Sequence, residues 1–275
     1  MSGSLDAGLP GNTTAPRMGR PADCKDLNDI ELFGIRMTSL DFDGVCACIA
    51  DRIHARQPGV IVTPNVNHVC MCEREPRFHE VYKRAFLALP DGMPIILASR
   101  LLGRPLRQKL SGSDMVPALC AFAAHGNFSV FFLGGTPGTA EKTAEIMAAR
   151  NPGLRVAGFH CPDYGFEKDP ATLEQVDAVV RAAQPDICFV ALGSPRQEYW
   201  MDEHCESAGA IIYMGVGATF DFISGRVRRA PRMVQYAGFE WLWRVAMEPR
   251  RLWRRYFVED IGFFKIFWRS LRGKK

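Results

Sequence analysis

The sequence predicts an open α/β sheet followed by a basic, aromatic helical tail. Between residues 29 and 225, short apolar runs alternate with longer segments in which apolar residues recur every three or four positions. Several of the runs are continuously apolar, which is typical of parallel strands buried on both faces. Because strands and helices alternate, right-handed crossovers are expected. We therefore predict a mostly parallel, Rossmann-like sheet with helices on both faces.

The predicted elements follow one another in a regular order. Each short apolar run predicts a strand, and each longer segment with helical spacing predicts a helix. The predicted strands are Leu32–Met37, Val60–Thr63, Phe86–Leu89, Ser129–Leu133, Leu154–Phe159, Ile187–Ala191 and Ile211–Gly215. The predicted helices are Asp41–Arg56, Pro76–Arg84, Pro94–Leu102, Asp114–His125, Thr139–Ala149, Leu173–Ala183 and Arg196–Ala208.

The chain ends differ in composition from this α/β region, residues 29–225. Residues 1–28 are rich in Gly, Pro and small polar residues, which predicts a disordered leader without the apolar core of a secretory signal. No run of 18 apolar residues occurs, so no transmembrane helix is expected. Nine cysteines without a framework spacing predict free thiols in the cytosol.

The charge is distributed unevenly along the chain. Residues 1–225 carry a net charge of −6, whereas residues 226–275 carry 14 Lys and Arg against 4 Asp and Glu, a net charge of +10. The same fifty residues hold four of the five Trp. A basic, aromatic appendage on an acidic body predicts an anionic partner, either a membrane surface or a nucleic acid.

Apolar residues of the appendage recur at helical spacing. This pattern favours an interfacial amphipathic helix with basic anchors for anionic lipid. The alternative is a helix packed on the body with solvated arginines. No recognisable nucleic-acid motif occurs, which disfavours RNA or DNA as the partner. The apolar positions are Trp253, Phe257, Ile261, Phe264, Trp268 and Leu271.

Polar residues follow two of the predicted strands, where open α/β sheets bind ligands. Asp91 stands between Pro90 and Gly92, so its carboxylate is either a general base facing the cleft or the N-cap of the next helix. Thr63 and Asn65 end the preceding strand and could hydrogen-bond a polar ligand, or Asn65 or Asn67 could cap a helix. Sequence position alone does not separate these alternatives.

A glycine-rich turn follows the strand Ser129–Leu133. In Gly134–Gly138, backbone amides and a helix N-terminus could approach a phosphate, or the glycines could simply form a tight strand-to-helix turn. The next strand ends in His160 rather than in an acidic residue, which weighs against an NAD site.

Two further patterns resemble metal sites. Asp41 and Asp43 have the spacing of a metal-binding DxD motif, but they precede a helical segment and are interpreted as first-turn residues favoured by the helix dipole. The pairs Cys46/Cys48 and Cys70/Cys72 fall in helical segments, where positions i and i+2 point to different faces. They are therefore interpreted as core or surface thiols rather than as zinc ligands.

Short motifs recur in a fixed order from the first buried strand to the appendage. They are Thr63–Asn65, Leu89–Gly92, Gly103–Leu106, Ser111–Asp114, Phe132–Gly135, Gly193–Glu198, Gly215–Asp221, Ser224–Pro231, Gly238–Leu242 with Arg244, Glu248–Arg250 and Arg254–Tyr256. In this order they make the chain resemble the WecG/TagA/CpsF family of bacterial glycosyltransferases, over about residues 32–256. One departure is Lys109, where we expect the family to use Arg, so the charge is kept but bidentate pairing with a phosphate is lost.

The resemblance implies an inverting, metal-independent transfer of a hexose or N-acetylhexosamine-type sugar. The donor is a UDP-sugar, and the acceptor is an undecaprenyl-diphosphate-linked sugar of cell-surface or exopolysaccharide assembly; no cofactor is implied. The enzyme would be cytoplasmic and peripheral on the inner face of the cytoplasmic membrane. The implied catalytic residues are Asp91 as base, with Thr63 and Asn65 beside the sugar. The implied substrate-binding residues are Lys109, Gly135, Phe166, Gln197, Asp221, Arg226, Arg229, Arg232 and Arg244.

Two rival functions remain at the level of sequence. One is a non-catalytic, membrane-bound nucleotide-binding or scaffold protein of the same fold, and the other is a Rossmann oxidoreductase. Sugar transfer from a UDP-sugar would exclude the first, and failure to bind NAD would exclude the second. The sequence indicates neither the sugars nor the oligomeric state.

Overall fold

The main sheet is parallel, as predicted. A computed structural model describes residues 29–231, 233–234, 240–247 and 249–273. Within these residues the sheet has six strands in the order β4-β3-β8-β7-β5-β6, every neighbouring pair being parallel. A separate antiparallel hairpin is formed by β1 and β2. The strands are β1 (Asp29–Leu32), β2 (Ile35–Thr38), β3 (Gly59–Val62), β4 (Leu87–Ala88), β5 (Ser129–Gly134), β6 (Arg155–His160), β7 (Ile187–Ala191) and β8 (Ile212–Gly215).

Helices connect the strands and continue into the appendage. Short turns of other helix types lie at Phe166–Lys168, which is 3₁₀, and at Arg255–Glu259, which is π-helical. In the described residues the α-helices are α1 (Phe42–His54), α2 (Val66–Arg74), α3 (Pro76–Arg84), α4 (Met93–Leu101), α5 (Gly112–Gly126), α6 (Thr139–Arg150), α7 (Pro170–Ala183), α8 (Arg196–His204), α9 (Thr219–Ile223), α10 (Glu240–Met247), α11 (Pro249–Arg254) and α12 (Gly262–Arg272).

Both faces of the sheet are covered. Alternate residues of β5 point to opposite faces, so Phe131 joins one apolar cluster and Phe132 joins the other. The first cluster includes buried side chains of α2, α3, α4, α7, α8 and α12, and the second includes those of α1, α5 and α6. The predicted layers, with helices on both faces, are therefore confirmed.

One predicted strand is wrong. The run Leu32–Met37 is not continuous, because the chain turns at Phe33 and Gly34, whose φ angles are 57° and 73°. Two central residues with positive φ are the geometry of a type I′ hairpin, which fits the twist of antiparallel strands. The ordered set of predicted helices also lacked the short α9 and gave no bounds to α2, although Cys70 and Cys72 were placed in a helical segment. The Cys, His and Asn residues of α2 weaken its apolar spacing.

The appendage departs from the predicted continuous helix. The helical path is interrupted at Asp260, a buried carboxylate that accepts a hydrogen bond from Asn67 Nδ2 at 3.0 Å. Beyond it, α12 packs on α2, burying Phe263 and Ile266 in the core. Leu271 also packs inward, so it does not belong to the exposed apolar face. One side of α12 therefore packs on the body, which is the alternative considered from the sequence.

The two Cys-x-Cys pairs lie in the core of the protein. The cysteines at 46, 48, 70 and 72 are all buried, and burial raises the pKa of Cys70 to about 11 and of Cys72 to about 12. Cys70 and Cys72 are therefore protonated, and all four side chains are core thiols. In the part of the chain that the structure describes, no helix combines the length and apolarity needed to span a membrane.

A pair formed by the half-buried His204 and the buried Asp177 joins α7 to α8. His204 Nδ1 lies 2.5 Å from Asp177 Oδ2, and Trp200 Nε1 donates a hydrogen bond to Asp177 Oδ1 at 3.1 Å. The hydrogen bond that the Asp177 carboxylate accepts raises the pKa of His204 above its usual value. The raised pKa means that protonated His204 stabilises the folded state. This stabilisation is fully present below about pH 6.5, the pKa of histidine in the unfolded chain, and is lost as the pH rises through the higher pKa of His204 in the folded chain.

We therefore expect the thermal midpoint of the protein to fall over that pH range more steeply than in the variant His204→Gln. Thermal unfolding followed by circular dichroism at a series of pH values measures this difference. The variant His125→Gln, at an exposed histidine, is the control and should keep the wild-type slope. Equal slopes in wild type and His204→Gln would contradict the assignment.

Candidate active site

A large cleft opens where the strands of the main sheet end. Its volume is about 1560 Å³, above the roughly 300–1,000 Å³ of most single-ligand pockets, so it has room for two substrates. Every strand of the main sheet places a residue from its carboxyl-terminal loop on the cleft wall. These residues are Thr63 after β3, Asp91 after β4, Gly135 after β5, Cys161 after β6, Leu192 after β7 and Val216 after β8.

Asp91 is held in this wall by backbone hydrogen bonds. Its amide donates to the Pro64 carbonyl oxygen at 2.8 Å, and the neighbouring Pro90 carbonyl accepts from the Leu110 amide at 2.8 Å. The N-cap of α4 is Gly92, with φ at 96°, and not Asp91. The capping alternative for Asp91 is therefore wrong, and its half-buried side chain lies on the cleft wall.

Thr63 and Asn65 lie beside Asp91 on the same wall. The buried Thr63 hydroxyl donates to the Gly215 carbonyl at 3.3 Å, which ties β3 to β8. Asn65 Oδ1 accepts from the His68 amide at 3.2 Å and caps α2, so the capping alternative for Asn65 is confirmed. The residue remains half-buried at the cleft, so capping does not remove it from the wall.

His68 is a site residue that the sequence analysis missed. Its Nδ1 atom lies 3.1 Å from the Thr63 carbonyl oxygen and 2.7 Å from the Tyr82 hydroxyl oxygen. Burial raises the pKa of Tyr82 well above its usual value, so the phenol stays protonated. The cluster thereby contacts the backbone of Thr63 through its carbonyl oxygen. No motif spacing marks it, because the cluster depends on the packing of α2 against α3.

The glycine-rich turn after β5 forms another part of the wall. Gly134 and Gly135 have φ angles of 95° and 85°. A Cβ atom on Gly135 would overlap the Thr139 hydroxyl and lie 3.2 Å from the Phe220 ring, so only glycine fits there. Thr136 Oγ1 donates to Asp221 Oδ1 at 2.5 Å, which joins this turn to the segment after β8.

Several cations predicted to bind substrate lie in or near the cleft. Lys109 lines it, and both Lys109 Nζ and Arg229 contact the Asp114 carboxylate, at 2.9 and 2.5 Å. Arg244 lines the cleft from α10, with its guanidinium 5.4 Å from the centre of the Phe222 ring. Arg226 is exposed and is not on the cleft wall, and Arg232 lies outside the described residues.

Gln197 and Phe166 close the far side of the cleft. Gln197 Oε1 accepts from the Gly217 amide at 3.1 Å, and its Nε2 donates to Glu198 Oε1 at 2.8 Å. This fully buried amide therefore braces the loop after β8. Phe166 is buried at the start of the 3₁₀ turn.

Near Phe166, the exposed Tyr164 ring lies under the Arg196 guanidinium, 4.2 Å from its carbon to the ring centre. Sequence reasoning did not single out this pair. Both residues line the cleft, so they present a flat surface beside Phe166.

The DxD acids do not line the cleft. Asp41 is the N-cap of α1, with Oδ1 accepting from the Gly44 amide at 3.0 Å and Oδ2 accepting from Arg107 at 2.8 Å. Asp43 lies in the first turn of the same helix, as interpreted from the sequence. Among the residues that the structure describes, no three His, Cys, Asp or Glu side chains are grouped as metal ligands.

Residues 30–275 match the family described as "Glycosyl transferase WecG/TagA/CpsF family". The chain is 33% identical over 195 residues to an N-acetylglucosaminyldiphosphoundecaprenol N-acetyl-beta-D-mannosaminyltransferase of Bacillus spizizenii, which covers 71% of this chain and 73% of the relative. It is 26% identical over 194 residues to a protein of the same description from Bacillus subtilis, covering 70% and 72%.

Proposed function

The chain belongs to the WecG/TagA/CpsF family of glycosyl transferases, and we propose that it moves a sugar from a UDP-sugar to a polyprenyl-diphosphate-linked sugar with inversion at the anomeric carbon. The activity for which the two Bacillus relatives are named favours an N-acetylhexosamine as the transferred sugar and an N-acetylglucosaminyl-diphosphoundecaprenol as the acceptor. Because the family is enzymatic, the alternative of a non-catalytic scaffold is not retained.

One observation carries the proposal. The loop with Asp91 and the loop with Lys109 are joined by the hydrogen bond from the Leu110 amide to the Pro90 carbonyl, 2.8 Å long. A carboxylate and a cation are thus fixed on two hydrogen-bonded loops at the wall of one cleft. An inverting sugar transfer needs this combination, because a base must take a proton while a diphosphate leaves nearby.

The reaction assigns a separate role to each group. Asp91 accepts the proton of the acceptor hydroxyl as that oxygen attacks the anomeric carbon. The bond from this carbon to the UDP oxygen breaks, and both bonding electrons leave with UDP. Lys109, Arg229, Arg244 and the amides of residues 134–138 stabilise the charge that develops on the diphosphate. We propose that the nucleoside end of the UDP-sugar is bound by Asp221, Phe166 and the Tyr164–Arg196 pair.

A donor screen tests this function. The full chain is incubated with individual UDP-hexoses and UDP-N-acetylhexosamines and with a synthetic lipid-diphosphate N-acetylglucosamine, and UDP release is measured. We expect acceptor-dependent UDP release with at least one UDP-N-acetylhexosamine. Absence of acceptor-dependent release with every donor would contradict the proposal.

Metal independence is a separate prediction. The leaving diphosphate has protein cations available at the cleft, whereas Asp41 and Asp43 serve the start of α1. We expect the initial rate to be unchanged within about twofold by excess EDTA. Loss of activity that Mg²⁺ or Mn²⁺ restores would contradict the prediction.

We further propose that the appendage binds the anionic membrane that holds the acceptor. Ile261, Phe264 and Trp268 are spaced so that they share one face of the chain around α12, and all three are exposed, Phe264 by 73%. The opposite side buries Phe263 and Ile266 in the core. An exposed apolar face on a helix with basic residues is the arrangement of an interfacial anchor.

The packing of α12 decides how this membrane contact is tested. Deleting the chain after about Arg250 would remove Phe263 and Ile266 from the core and break the bidentate pair between Arg269 and Glu73, with contacts of 2.7 and 2.8 Å. The folded body is therefore not expected to survive this deletion unchanged. Substitutions on the exposed face avoid the problem.

We expect the double variant Phe264→Ser/Trp268→Ser to bind anionic liposomes about tenfold or more weakly in flotation, because two inserted aromatic side chains are lost. The control Leu101→Ser removes an exposed apolar side chain of α4 and should bind like the wild type. High salt should release the wild type only partly, since salt screens charges but not apolar insertion. Equal binding by the double variant would contradict the membrane assignment.

A further inference from the structure

Asp114 lies at the centre of a cation cluster behind the cleft wall. It is in the first turn of α5, where the helix dipole favours a carboxylate. Its Oδ1 accepts from Arg229 at 2.5 Å, and its Oδ2 contacts Lys109 Nζ at 2.9 Å and accepts from the Ser111 hydroxyl at 2.5 Å. The carboxylate thereby joins the loop before α5 to the first residues of the appendage.

The charge state of this cluster is fixed. Burial by itself would raise the pKa of Asp114, but Arg229 and Lys109 outweigh it and lower the pKa to about 2. Asp114 is therefore ionised throughout the neutral range. Two cations that share one carboxylate leave one net positive charge, and the carboxylate offsets the repulsion between them.

The cluster lies next to the proposed reaction centre. Ser111 and Gly112, at the start of α5, line the cleft together with Lys109. A Cβ atom on Gly112 would lie 3.1 Å from Val216 Cα, so this helix start is packed closely against the loop after β8. Asp114 is not among the described residues that line the cleft, so it acts on the cleft through its cation partners.

We propose that Asp114 is a positioning residue that holds Lys109 and Arg229 in the orientation needed to bind a diphosphate group. The inference rests on the proposed function, which supplies a diphosphate in both substrates. A carboxylate repels an anion, so its contribution to an anion site can only come through the cations that it orients. The same contacts also fix the start of the appendage to the body.

A binding comparison separates positioning from a merely structural salt bridge. The affinity of the full-length chain is measured by calorimetry for UDP against UMP, and for farnesyl diphosphate against farnesyl monophosphate. The two pairs distinguish the diphosphate of the donor from that of the lipid acceptor. In each pair the ligands differ by one phosphate, so general damage to the site affects both members.

We expect Asp114→Asn to weaken binding of at least one diphosphate about tenfold, the scale of a weakened charge-assisted hydrogen bond, while the matching monophosphate changes by less than about threefold. The pair that responds identifies the source of the diphosphate. The control Asp43→Asn removes an exposed carboxylate from the first turn of α1 and should leave all four affinities unchanged.

An unchanged ratio in both pairs would overturn the inference, and so would equal losses for the diphosphates and monophosphates. If Asp114→Asn does not fold, Asp114→Glu replaces it, because this variant keeps the charge and displaces the cations by about one methylene. A threefold or larger loss confined to a diphosphate is then expected, and an unchanged ratio overturns the inference. If the wild type binds neither diphosphate, the proposed function fails as well.

Discussion

We expect Asp91→Asn to lower the turnover number about 10²-fold or more, while UDP binding and the thermal midpoint stay close to those of the wild type. This is the scale of a lost general base. The asparagine has nearly the same shape but cannot take up the proton of the acceptor hydroxyl. The backbone contacts that hold residue 91, to Pro64 and through Pro90 to Leu110, do not use the side chain.

The control for this prediction is Asp163→Asn, which removes another carboxylate that lines the cleft, in the loop after β6. The turnover number of this variant is expected to stay within about threefold of the wild type, because Asp163 does not accept the proton in the proposed reaction. Turnover of Asp91→Asn within tenfold of the wild type would show that another group is the base. A loss of UDP binding in this variant would assign Asp91 to the donor instead.

The second large effect is expected at Arg244. Replacing Arg244 with Gln should lower the turnover number about 10²-fold on a short-chain acceptor in solution, the scale for losing one group that stabilises developing charge. Arg244 extends from α10 of the appendage to the cleft wall, so the measurement tests whether the appendage completes the active site. No membrane is present in this assay, which separates catalysis from anchoring.

A matched loss of charge controls for the electrostatics of the appendage. Arg250 is exposed on α11, and Arg250→Gln removes the same charge from the same region without reaching the cleft. Its activity on the short-chain acceptor should stay within about threefold of the wild type. Equal activities of the two variants would contradict a catalytic role for the appendage.

Sequence periodicity was sufficient to predict the α/β layers, because buried parallel strands such as Ile187–Ala191 are continuous apolar runs with clear ends. It failed at the hairpin, where apolar residues on both sides of Gly34 were read as one strand. Turn chemistry, rather than periodicity, determines the chain path there. The appendage was predicted as one helix for the same reason, since periodicity does not show that Asp260 is buried against Asn67.

The cleft was predicted from strand ends, and this reasoning identified Asp91, Thr63 and Gly135 because each follows a strand directly. It could not choose between the base and the N-cap for Asp91, since that choice depends on whether α4 begins at residue 92 or 93. His68 and Asp114 were missed as site residues because they act on the cleft through other residues, and only the packing of the fold shows those contacts. Asp114 and Arg229 are separated by 115 positions in the sequence, and no sequence pattern pairs them.

We expect sugar transfer from a UDP-sugar to a lipid-diphosphate sugar in this cleft to invert the configuration at the anomeric carbon. The most direct test is the structure of the product formed by the full chain from a UDP-N-acetylhexosamine and a synthetic lipid-diphosphate N-acetylglucosamine. Mass spectrometry should show the addition of one sugar residue, and NMR should show an anomeric configuration opposite to that of the donor. A product with the donor's configuration, or only free sugar and UDP, would contradict the claim.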